Sequence, residues 1–128
     1  HFLPFAQKYL NRDKPVVFCG DFNICHTAID IHNPKQNKNT SGFLLEEREW
    51  VTRLLETGYE DVYRRLHEGE TDLYSWWSYR AASKDRNKGW RIDYHMSSHE
   101  LLEAAEEAVI EMEWDLSDHA PVSISYKL

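Results

Sequence analysis

Short apolar runs separated by polar breaks divide this sequence into helical and extended segments. Phe2 to Asn11 reads as the end of a helix, followed by a polar turn at Asn11-Arg12-Asp13-Lys14. Pro15 to Cys19 is a continuous apolar run bounded by Pro15 and Gly20, the pattern of a short strand buried on both faces. Residues 26–43 are polar and rich in Asn, Lys and Thr, with Asn33-Pro34 as a turn signal. Loops of that length inside compact domains are usually functional. Leu44 to Thr57 is amphipathic, with Leu44, Leu45, Val51, Leu54 and Leu55 available for one face, and Gly58 supplies a left-handed cap.

Beyond Gly58, Asp61 to His67 reads as a helical turn and the aromatic stretch Leu73 to Tyr79 as extended. Arg91 to Ser97 alternates, with Ile92, Tyr94 and Met96 on one face and Arg91, Asp93 and His95 on the other. The spacing from Ser97 to Glu100 is that of a capping box and predicts a helix through about Glu107. Ile110, Met112 and Trp114 alternate with glutamates and predict a strand; Val122 to Tyr126 predicts a final one. Four or five strands with two or three helices make the class α/β or α+β. One sheet with so few helices cannot cover both its faces, which suggests a second half. The chain also opens at His1 and runs straight into apolar Phe2-Leu3-Pro4-Phe5, whereas free termini are usually polar and frayed. The expectation is therefore a single unit, residues 1–128, forming the C-terminal portion of a larger domain. A tag remnant would explain His1 but not the apolar residues after it.

Composition narrows the chemistry. No apolar run approaches the ~20 residues of a membrane span, so no membrane partner is expected. Cys19 and Cys25 are too few for a disulfide framework and suit a reducing, cytoplasmic setting. Cys25-His26 with His32 hints at zinc, but no second ligand cluster follows. The net charge of −7 argues at first against nucleic acid. It is unevenly spread, however. Arg80, Lys84, Arg86, Lys88 and Arg91 are interleaved with Trp76, Trp77, Tyr79 and Trp90, while Glu100 to Asp115 holds seven acidic residues and no basic one. The first stretch is a candidate nucleic-acid surface or an ordinary solvated loop.

Three clusters place a carboxylate on a strand or at its end: Gly20-Asp21-Phe22-Asn23, Trp90-Arg91-Ile92-Asp93-Tyr94 and Ser117-Asp118-His119-Ala120-Pro121. Alone, Asp21 and Asp118 read equally well as turn caps, Asp93 as solvated, and His119 as a satisfied core histidine. Together they fit a hydrolase that handles phosphate with a metal.

These clusters, with the loop Asn33-Pro34-Lys35 and the stretch Trp76-Trp77-Ser78-Tyr79-Arg80, occur in the order seen in the exonuclease III and abasic-site endonuclease family. That family is a branch of the endonuclease/exonuclease/phosphatase superfamily, which this chain resembles over essentially its whole length. The Trp76 stretch has a bacterial look. The resemblance implies the C-terminal half of a two-sheet, four-layer α/β sandwich about twice this length. It implies Mg²⁺-dependent hydrolysis of double-stranded DNA at abasic sites and 3′ ends, with Mn²⁺ as a substitute metal. Asp21 would position or deprotonate the attacking water and Asn23 would orient it. His119, steered by Asp93, would bind the scissile phosphate, and Asp118 would contribute to the metal site. Whether Asp21 or the His119–Asp93 pair is the base stays open. Asn33, Lys35 and Asn37 would contact phosphates, with Thr40 standing where some members carry a third Asn. Trp76 and Trp90 would wall the pocket for a flipped-out baseless sugar, with Arg80 reaching into the duplex and Arg91 also on DNA; Trp77 is assigned to the core. The family's first half supplies further metal and catalytic residues, so this chain alone is expected to be inactive, with an uncovered sheet face open to self-association. The alternatives are another superfamily phosphodiesterase, acting on phosphoinositides, sphingomyelin or RNA, and a non-catalytic DNA-binding fragment.

Overall fold

A computed structural model describes residues 1–128. In chain order it has α1 (Phe2–Leu10), β1 (Val17–Asp21), α2 (Leu45–Glu56), β2 (Glu60–Asp61), α3 (Val62–Leu66), β3 (Trp76–Trp77), β4 (Gly89–Trp90), β5 (Asp93–Ser97), α4 (His99–Ala104), β6 (Ala105–Ile110) and β7 (Val122–Tyr126). The class is mixed helix and strand, as expected. All strand pairs are antiparallel: β1-β5-β2 form one sheet, β3-β4 a ribbon and β6-β7 another. No helix is long and apolar enough to cross a membrane.

Helices α1 and α2 cover one side of the three-stranded sheet. Ala6, Val51, Leu54, Tyr59, Tyr94 and Met96 form the buried cluster there, with Phe2, Phe18 and Trp50 packed against it. Gly58, at φ +123°, turns the chain after α2, a conformation that glycine adopts without strain. A second cluster joins Tyr63, Tyr74, Trp77, Ala108, Ile110 and Ala120 under the β6–β7 ribbon.

Two expectations need correction. The run at Pro15–Cys19 is not buried on both faces: in β1 only Phe18 is half-buried and its four neighbours are exposed. β1 is the outer strand of its sheet and the helices cover only its Phe18 side, so continuous apolarity did not mean two-sided burial. Further on, the helix predicted through Glu107 ends at Ala104, and the strand predicted at 110–114 lies at Ala105–Ile110. Ladder pairing of Ala108 with Ile124 and Ile110 with Val122 buries alternate residues and overrides the low strand propensity of Glu106 and Glu107. Met112 and Trp114 are left in the turn that follows.

Candidate active site

β1 and β5 end together. Their register sets Asp21 opposite Asp93, so two carboxylates share one face at the rim of the sheet. Like charges directly opposite in a ladder repel. The imidazole of His119 relieves this by lying between them: Nδ1 donates to Asp93 Oδ2 at 2.9 Å and Nε2 is 3.8 Å from Asp21 Oδ2. A carboxylate only accepts, so Nδ1 carries the proton. Partial burial lowers the His119 pKa, but the Asp93 hydrogen bond and the charges of Asp93, Asp21 and Asp118 outweigh it and raise the value above the ordinary one. Ligand atoms of Asp21, Asp93 and His119 all fall within 4.8 Å of one another.

Asn23 does not continue the strand. It adopts φ +55°, a left-handed conformation in which asparagine is enriched, and its N–H donates to Asp21 Oδ1 at 2.8 Å. The turn pins one oxygen of Asp21 and leaves the other facing His119. It also brings Asn23 to the edge of a cavity of about 500 Å³ lined by Asn23, Thr40, Ser41, Trp76, Trp90, Ile92 and His119. Trp76 and Trp90 are cross-strand partners packed edge to face, with ring centroids 5.9 Å apart. Gly42 supports the Trp90 wall: at φ +99°, a Cβ there would sit 2.7 Å from the indole.

Asp118 is not drawn into the Asp21–Asp93–His119 cluster. Its Oδ2 accepts from Trp76 Nε1 at 3.1 Å, which ties the carboxylate to the cavity wall. Arg80 and Lys35 are exposed, and Asn33 is exposed in a left-handed turn at φ +50°. The Asn37 amide donates to the carbonyls of His32 and Asn33, so both of its N–H groups shape the loop rather than project from it. Trp77 is a core residue at 2 % exposure, as assigned.

Arg91 is a correction. It is fully buried, at 0 % exposure, and unavailable to DNA. Its guanidinium grips Asp61 through two bonds, at 3.1 and 2.6 Å, and Asp30 at 2.8 Å. Arg91 and Ile92 lie where the chain leaves the β3–β4 ribbon for the β1–β5 ladder, so the alternation that grouped Arg91 with Asp93 and His95 is broken there. Sequence reading missed its partners Asp30 and Asp61, and also Arg64, which adds a 2.6 Å bond to Asp30. Asp30 lies in a polar loop, where burial at 1 % has no local signature. The Cys25 thiol donates to the Asp30 carbonyl at 3.2 Å in the same knot.

The profile of the Endonuclease/Exonuclease/phosphatase family matches residues 1–119. The chain is similar to an exodeoxyribonuclease of Bacillus subtilis, 49% identical over 115 residues, covering 90% of this chain and 46% of that protein. It is 40% identical over 124 residues to a DNA-(apurinic or apyrimidinic site) endonuclease of Dictyostelium discoideum, covering 96% of this chain and 34% of the relative. Its fold superposes on a 3′ phosphatase from Neisseria, solved with product DNA hairpin, with TM-score 0.93 and 28% identity over 99% of this chain and 51% of the other. The chain spans between about a third and a half of the length of these relatives. By the match over residues 1–119, the chain belongs to the Endonuclease/Exonuclease/phosphatase family.

Proposed function

We propose that this chain carries part of the site of a DNA-repair phosphodiesterase of the exonuclease III type, hydrolysing duplex DNA at abasic sites and 3′ ends with Mg²⁺. The observation that supports it best is the row Asp93–His119–Asp21, at 2.9 and 3.8 Å, opening onto a cavity walled by Trp76 and Trp90. Each part has a task in phosphodiester hydrolysis. His119, held at Nδ1 by Asp93, would aim its Nε2–H at a phosphate oxygen, stabilising the charge that develops there. Asp21 would then act as the base: the water oxygen bonds to phosphorus, its proton passes to Asp21, and the P–O bond to the sugar breaks, the sugar oxygen leaving with the bonding pair and taking a proton from solvent. Asn23 would orient the water and Asp93 would hold the imidazole. The cavity would accept a baseless sugar against the two indoles. Asn33 and Lys35, both exposed, would contact phosphates and Arg80 the duplex, while Asn37 supports the loop.

The donor chemistry fits a hard cation: Asp21 and Asp93 offer carboxylate oxygens beside His119, which Mg²⁺ accepts and Mn²⁺ tolerates, and Asp118 adds a third carboxylate next to His119 in sequence. Asp118 would contribute to holding it. Bound there, the ion would supply positive charge to phosphoryl oxygens.

The test is incision of a duplex bearing one abasic-site analogue, with Mg²⁺ or EDTA. The 128-residue chain is expected to bind this duplex without cutting it, because so few carboxylates hold the metal loosely. Joined to the complementary half of a full-length relative, it should cut in Mg²⁺ and not in EDTA. A folded joined protein that binds the lesion and leaves it intact in Mg²⁺ would overturn the proposal.

A further inference from the structure

We infer that Ser75 is a positioning residue for the Asp93–His119 pair, acting through one buried hydroxyl and one backbone carbonyl. The inference rests on the reading of that pair given above. Ser75 immediately precedes β3 and is fully buried, at 0 % exposure. Its Oγ accepts from the backbone N–H of Ile92 at 3.0 Å and of Asp93 at 3.1 Å. Its own N–H donates to the Trp90 carbonyl at 3.0 Å, and its carbonyl accepts from Ala120 N–H at 2.8 Å. A hydroxyl has two acceptor positions, and both are used here.

The need for this residue follows from the change of partner strands. Gly89 and Trp90 pair with β3, whereas Asp93 pairs with β1. At such a switch, successive N–H groups point away from either ladder and must find other acceptors. Arg91 N–H reaches the Asp30 carbonyl at 2.7 Å. The next two reach the single oxygen of Ser75. That oxygen therefore sets where the backbone of Asp93 enters β5. The carbonyl of the same residue anchors Ala120, which follows His119 directly. Asp93 and His119 are 26 positions apart in sequence, yet both are referred to one residue, and their 2.9 Å hydrogen bond inherits its alignment from it. Misplacement of a catalytic group by about 1 Å is enough to cost a large factor in rate. Alanine at position 75 would remove the acceptor. Cysteine keeps nearly the same shape but accepts weakly, and threonine keeps the hydroxyl.

The experiment uses the ¹⁵N-labelled chain. The Nδ1 proton of His119 should give a downfield, hydrogen-bonded signal, assigned by its loss in His119→Gln. In Ser75→Cys that signal should move upfield or vanish, and the Asp93 amide should exchange about tenfold faster or more, with amide dispersion elsewhere unchanged. Ser75→Thr should restore both. An unchanged His119 signal in a folded Ser75→Cys chain would overturn the inference. Should the variants fail to fold, the unmodified chain still decides. Amide protons of Ile92, Asp93 and Ala120 should exchange as slowly as that of Met96 in the core of β5, and fast exchange at the first two would overturn the role of the hydroxyl. None of these readouts uses nucleic acid or turnover. A chain that fails to cut DNA leaves the inference standing, and an unmoved imidazole leaves the nuclease reading standing.

Discussion

His119 lies where Asp21 and Asp93 would otherwise repel across the β1–β5 ladder, so its charge is coupled to folding. Its pKa in the folded chain is raised above the ordinary value of 6.5. A raised folded pKa contributes stability that is complete below the unfolded value and is lost as pH rises through the folded one. The melting-temperature gap between the parent chain and His119→Ala should therefore be widest below pH 6.5 and narrow on the alkaline side. A gap that widens with pH would reverse the assignment. Asp30 behaves oppositely. Burial pushes its pKa up, but Arg91 and Arg64 outweigh that and hold it at about 2, below the usual 3.8. It contributes about 2 kcal/mol that is present above pH 3.8 and lost as pH falls toward 2. Urea midpoints measured from pH 5 to 2 should fall less steeply in Asp30→Asn, which lacks the carboxylate and starts from lower stability.

At the scale of elements, the polar loop 26–43 is attached to β5 by buried charge. Arg91, just before β5, joins Asp30 of that loop to Asp61 at the end of β2, and the Tyr94 hydroxyl accepts from the His26 N–H at 3.2 Å. Arg91→Ala would strip buried Asp61 of its guanidinium and leave Asp30 to Arg64, and should cost about 3–5 kcal/mol by urea denaturation. If Arg91 touched phosphate instead, its loss would lower the salt dependence of DNA binding with little change in stability. The Trp90 wall depends on Gly42 in the same way. Gly42→Ala puts a methyl 2.7 Å from the indole and forces a φ of +99° on alanine. It should weaken binding to an abasic-site duplex more than to an intact one in a titration. Equal weakening on both duplexes would mean that the cavity does not receive the lesion.

At the scale of the whole molecule, the net charge of −7 predicts that the proposed contact with DNA runs through a local basic patch rather than the whole surface. Lys35, Arg80, Arg86 and Lys88 carry no ion pair, whereas Lys84 pairs with Asp115 at 2.9 Å and Arg91 is buried. Duplex binding should accordingly weaken with salt at the slope of a few phosphate contacts, roughly −0.9 per contact on log–log axes. A slope near zero would count against a nucleic-acid surface. In the joined protein, His119→Ala should lower incision by about 10²–10⁴-fold if the imidazole stabilises the phosphate, with binding to the duplex much less affected.

How far each feature could be read in advance depended on the range of the force behind it. Helices α1 and α2, the Gly58 turn and strands β5 and β7 follow from periodicity and backbone sterics, which act over a few residues and leave a local pattern. Asp21, Asn23, Asp93 and His119 stood out as candidates through short motifs at strand ends, though each motif alone fitted a turn, a solvated or a core role equally well. Their convergence was not legible. It comes from the β1–β5 register and from the return of the chain past β3. The same long-range pairing moved the β6 boundary, exposed one face of an apolar strand, and buried an arginine that local alternation grouped with polar residues. Burial of a charge is settled by partners 30 and 61 positions away, and a periodic pattern contains no information about them.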